Sequence, residues 1–135
     1  MRAPDWDTRL AAFIEARRNT PFAWGSHDCA MFAGDAVIAI TGRDPFAAWR
    51  GTYDCEETGS LVQGGAPLSL IVDGALRTFG AAPVPPEMAQ RGDVVMLMLG
   101  NAETCGVCLG GSVAAPGLDR LRFAKPSAIV KAWAI

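Results

Sequence analysis

The apolar pattern of the chain changes once, at Gly92, and that change limits the possible folds more than any other feature. Upstream, apolar residues recur at helical spacing. Downstream, DVVMLML, CGVCLG, VAAPG and LRFA are short apolar runs separated by Gly, Asn or Pro. Such runs between turn formers read as strands of a small antiparallel meander. KPSAIVKAWAI would supply a turn and a last edge strand. Helices first and strands second predict an α+β class. The 135 residues fit a single domain, 1–135, which would bury roughly 65–70% of its unfolded surface.

Within the first part, residues 5–18 form an amphipathic pattern. Trp6, Leu10, Phe13 and Ile14 make one stripe, Asp5 stands where a cap would, and Pro21 prevents continuation. A second helix fits 28–41, with Asp28 as N-cap and Gly42 just past its end. Its apolar set, Cys29, Phe32, Ala33, Ala36, Val37 and Ile40, covers so much of the circumference that the helix should be central and buried, packed on the C-terminal sheet. PFAAWR at 45–50 reads as a helical turn, and 51–66 as turn-rich. SLIVDGALRTFG reads as a helix stopped by Gly80, and APVPPE at 82–87 as a rigid spacer.

Composition excludes several function classes. Half the residues are apolar, 19% are charged and the net charge is −2, so the chain is globular. The densest basic stretch, RLRFAK, alternates with apolar residues as a strand does, which argues against a nucleic-acid ligand. No apolar run approaches the roughly 20 residues of a membrane span. MRAPDWDTRL lacks the apolar core of a signal peptide, so synthesis and maturation in a host cytoplasm are expected.

The segment FAWGSHDCAMF puts Asp28 and Cys29 where a loop becomes the buried helix. A helix N-terminus favours thiolate, so Cys29 suits a nucleophile; Asp28 opposes this unless capping occupies its carboxylate. Three features coincide: W-G-x-x-D-C at the helix start, R-G-D-V-V at the first strand, and G-V-x-L-G in the strand after it. This combination resembles the NlpC-like branch of the papain-like cysteine peptidases, which cleave peptides of bacterial cell walls. F-x-W-G-x-H-D-C with RGDVV, GVCLG and a terminal AW is similar to a small phage and prophage family of that lineage, whose members sit among tail genes.

The resemblance implies a papain-like fold, Cys29 as nucleophile, and a histidine base opening the second strand. There this chain departs from the pattern: Thr104 or Cys105 stands where histidine belongs, and Ala114 and Ala115 fall near the third catalytic position. The only histidine, His27, lies two residues before Cys29, where side chains diverge. His27 and Asp28 are weak catalytic candidates, and their alternative role is capping and loop hydrogen bonding. The former cleft would lie near Trp24, Thr104 and Ala114.

Four cysteines, Cys29, Cys55, Cys105 and Cys108, raise a separate possibility, a zinc or iron–sulfur site. Cys105 and Cys108 form a C-x-x-C, but residues three apart in a strand point to opposite faces, which disfavours chelation and a disulfide alike. No cofactor is therefore expected. Trp24 and Trp133 read as core or rim packing; Trp6 and Trp49 could equally cover an interface.

The leading expectation is a structural or assembly protein of a phage tail, a papain-like body without its base, with other tail-tip or hub proteins as partners and the virion tail as its place. The alternatives are an active peptidoglycan peptidase or amidase using Cys29, and a metal or cluster module using the four thiols.

Overall fold

A computed structural model describes all residues, Met1–Ile135. Four helices precede most of the sheet: α1 (Trp6–Arg17), α2 (Cys29–Thr41), α3 (Glu56–Gln63) and α4 (Leu68–Phe79). Six strands follow: β1 (Ala82–Val84), β2 (Val94–Leu99), β3 (Ala102–Cys108), β4 (Val113–Pro116), β5 (Leu121–Ala124) and β6 (Ile129–Ala134). They form one sheet in the order β1-β6-β2-β3-β4-β5, every pair antiparallel. The class is mixed α+β.

Helix α2 is the centre, as its composition requires. Eight of its thirteen residues are buried, and its apolar circumference meets α1 on one side and β3 and β4 on the other. Gly42 ends it at φ +78°, a left-handed geometry that glycine adopts without steric cost. The helix carries one charge, Asp35, held by Arg17 at 2.8 Å and Arg50 at 2.6 Å. Phe13 on α1 packs against Phe32 with ring centroids 5.3 Å apart.

The sheet is covered on both faces, and strand alternation sorts its side chains between them. Val94, Met96, Cys105, Val107, Ala114 and Trp133 join the helical core. Val95, Leu97, Cys108, Val113, Ala115 and Ala132 form a smaller core on the far face. Short 3₁₀ turns at Pro86–Met88 and Pro126–Ala128 pack over that far face.

The R-G-D-V-V motif has a structural account. Asp93 is buried, and its carboxylate accepts from Gln90 N–H at 2.9 Å, Ile135 N–H at 3.2 Å and Arg2 at 3.0 Å, tying both termini to the start of β2. The terminal AW is similarly held, because Trp133 Nε1 donates to Asp73 on α4 at 2.8 Å.

Several expectations are corrected. The last strand is no edge: β6 lies between β1 and β2, and β5 takes the edge. APVPPE is no mere spacer, because Ala82–Val84 pair with β6; Pro83 is tolerated there because the strand is outermost. The turn-rich stretch contains helix α3, which lacks an apolar stripe and buries only Gly59. Asp5 stands at the N-cap of α1 but makes no capping bond, since its carboxylate accepts from Arg9 instead.

Candidate functional site

The turn before α2 is built by pairing. Ala23 and His27 exchange backbone hydrogen bonds, and Gly25 between them sits at φ +82°. A Cβ on Gly25 would lie 2.2 Å from the Tyr53 carbonyl oxygen, so only glycine permits this approach. Asp28 follows as the N-cap. Its Oδ1 accepts from Met31 N–H at 2.9 Å, and its Oδ2 from Gly25 N–H at 2.8 Å and Tyr53 Oη–H at 2.6 Å. The carboxylate is thus fully used in holding the loop, the helix and Tyr53 together.

Cys29, the first residue of α2, lies on the wall of a cleft of about 680 Å³, within the range of ligand sites. Phe22, Trp24, Trp49 and Tyr53 make an aromatic side, and Trp24 meets Phe22 edge-on at 5.0 Å. Thr104 from β3 and the segment Pro116–Leu118 at the end of β4 line it too, the Leu118 carbonyl accepting from Phe22 N–H at 3.2 Å. Helix α3 contributes Gly59, Val62 and Gln63, with Gly59 facing the Tyr53 and Trp24 rings across room for a methyl group. Trp24, Cys29 and Thr104 therefore do come together. Ala114 does not: it is fully buried in the core beneath the cleft.

The chemistry of Cys29 runs against a nucleophile. Burial pushes its thiol up to about 11; the backbone amide of Cys105 offsets this in part, and the negative charge of Asp28 adds to it. The partial charge of one helix terminus does not overcome that desolvation.

His27 is held against α1. Its ring is buried and turned toward α1, where Arg17 Nη1 lies 3.2 Å from Nδ1. Arginine only donates, so Nδ1 accepts and the ring proton sits on Nε2, which is buried with no partner. The ring stands edge-on to Phe32 at 5.7 Å. Burial, reinforced by Arg17, holds its pKa below the usual imidazole value. The ring is packed between Arg17 and Phe32, the hydrogen-bonding role that the sequence offered as its alternative. Asp28 takes the capping role that the sequence expected of it.

The remaining thiols do not converge. Cys105 faces the helical core and Cys108 the far core, so the C-x-x-C straddles the sheet as strand alternation requires. Cys55 is exposed at the start of α3, and all four cysteines are unpaired. Nowhere do three or more His, Cys, Asp or Glu side chains gather as a metal ion would need. No helix is long and apolar enough to cross a membrane.

Two cleft residues escaped sequence reading. Tyr53 had no assigned role, although its hydroxyl completes the Asp28 cap. Arg122 lay in RLRFAK, whose alternation signalled a strand but not which side chains would border the cleft. Over residues 1–135 the chain matches the model of a family described as a domain of unknown function (DUF6950), and it belongs to that family. Comparison with curated proteins and with solved structures finds no match.

Proposed function

We propose that this chain is a catalytically inert docking protein of a phage or prophage tail, a papain-like body whose cleft holds a neighbouring protein instead of cleaving a peptide. One observation carries the reading: the chain's only imidazole is committed to Arg17, away from Cys29, and the thiol is kept protonated by burial. General-base activation supplies about 10²–10⁴-fold in rate, and nothing in this cleft provides it. The tail assignment rests on the sequence resemblance, with the open, aromatic-walled cleft as the surface that would be used.

The test pairs two measurements. A phage carrying Cys29→Ala should still build infectious tails, while deletion of the whole protein should abolish them. Purified protein should release no stem peptides from peptidoglycan. Cys29-dependent release would overturn the reading in favour of a cell-wall peptidase.

A further inference from the structure

The turn that leads into α2, residues 23–27, is anchored by a single side chain. Ala23, Trp24 and Ser26 are exposed and Gly25 is half-buried, whereas His27 is buried, its ring packed between Arg17 of α1 and Phe32 of α2. His27 N–H and C=O both pair with Ala23, at 2.8 and 3.2 Å, so the ring and the turn move together. The same turn carries Trp24 of the cleft wall, which meets the Phe22 ring at 5.0 Å.

The ring fits this place only in its neutral form. Nδ1 accepts its one hydrogen bond, from Arg17 at 3.2 Å, and Nε2 has no partner. A proton on Nδ1 would set two donors and two positive charges face to face. Charged groups reach the ring from both helices: Arg17 on α1 opposes protonation, while Asp35 on α2 and Asp28 at its cap favour it. Both carboxylates are already taken, Asp35 by Arg17 and Arg50, and Asp28 by Met31, Gly25 and Tyr53. Arg17 is itself fixed by Asp35 at 2.8 Å, so the ring, tethered to an exposed turn, is the partner that yields.

We propose that His27 is an acid-sensitive latch on the cleft: proton uptake expels its ring from beside Arg17, and the freed turn takes Trp24 off the cleft wall. The Phe22 bond to the Leu118 carbonyl and the Gly25 bond to Asp28 remain as hinge points. Such a latch works whether the cleft docks a protein or acts on a substrate. A free imidazole takes up its proton near pH 6.5, the latched ring only below it. Opening therefore gains about tenfold for each pH unit below that value, until the latched ring itself is protonated.

The chain has one histidine, so in full-length protein without a histidine tag the imidazole NMR signal reads His27 alone. Acrylamide quenching, taken as the difference between the parent and Trp24→Phe, reads Trp24. From about pH 7.5 to 5 the imidazole should titrate with a midpoint below 6.5, and Trp24 quenching should rise over the same range. Far-UV circular dichroism should stay constant. His27→Gln, which keeps an acceptor for Arg17 but takes up no proton, should abolish the rise. Quenching that stays flat while the imidazole titrates, or a rise that survives in His27→Gln, overturns the latch. So does an imidazole midpoint at or above 6.5, or a loss of circular dichroism with the rise, since the whole domain then opens. Should His27→Gln fail to fold, the parent decides: imidazole and quenching midpoints that differ overturn the proposal.

Discussion

The chain contains the pair Asp-Cys twice, each time at the start of a helix, and the two copies behave in opposite ways. At α2, Asp28 caps and Cys29 is half-buried on the cleft wall, where lost hydration raises the thiol to about 11. At α3, Cys55 is itself the N-cap and is exposed; Asp54 makes no side-chain hydrogen bond. There the Thr58 hydroxyl, 3.2 Å from the Cys55 sulfur, lowers the thiol pKa. A helix N-terminus is common to both, so it cannot be what decides. Access to water decides: a field worth up to about 1 kcal/mol at a helix end is outweighed once the charged form loses its hydration.

The largest expected effect breaks or confirms this contrast directly. At pH 8 a thiol with pKa near 11 is about one part in a thousand ionised, against about a quarter for an ordinary cysteine. Iodoacetamide should therefore modify Cys55 on the order of a hundredfold faster than Cys29, followed by peptide mass spectrometry. Comparable rates would mean that Cys29 is as accessible and as readily ionised as an exposed cysteine, and would remove the contrast.

Next in size are the two aspartates. Asp28→Ala leaves three donors unsatisfied and removes a cap, and should cost about 2–4 kcal/mol in denaturant unfolding. Asp54→Ala should stay within about 0.5 kcal/mol, because its side chain holds nothing. Equal losses at the two sites would show that the Asp28 bonds contribute little.

The cysteines themselves follow. Cys29→Ser puts a hydroxyl in a poorly solvated place and should cost about 1–3 kcal/mol, with Cys29→Ala the milder change. Cys55→Ser should be nearly neutral. A thermal midpoint for Cys29→Ser equal to the parent's would remove the desolvation argument.

The smallest effect is a pH slope that belongs to the α2 side alone. His27 faces Arg17, with Asp35 and Asp28 acting in the opposite sense, and its folded pKa lies below the unfolded 6.5. The unfolded chain thus binds the proton first. The contribution of His27 is fully present above pH 6.5 and is lost as pH falls through and below it. His27→Gln should flatten the decline of stability between about pH 7.5 and 5 relative to the parent. An unchanged slope would mean that the ring is solvated on acidification without cost.

How much of this was legible in the sequence differs between the same two regions. The α2 segment announced itself: a saturated apolar circumference, Asp28 before it and Gly42 after it leave little choice of structure. The α3 segment, EETGSLVQ, has no comparable pattern. Its helix start depends on Thr58 reaching back to the Cys55 N–H, a contact that apolar periodicity does not reveal. Strand β1 was hidden for a related reason, since three residues with a proline gain strand character only from the partner β6.

The sequence by itself determined the class, the buried central helix, its cap, the split of Cys105 from Cys108, and the absence of a histidine on β3. These follow from local rules of periodicity, hydrogen-bond geometry and residue identity, which act over a few residues. Only the tertiary structure decided that His27 turns to Arg17, that Tyr53 completes the Asp28 cap, that Ala114 lies beneath the cleft and Arg122 beside it, and that β6 is interior. Each of those outcomes joins residues distant in sequence or sets how much water a group keeps. Desolvation is a property of everything packed around an atom, and no single stretch of chain contains it.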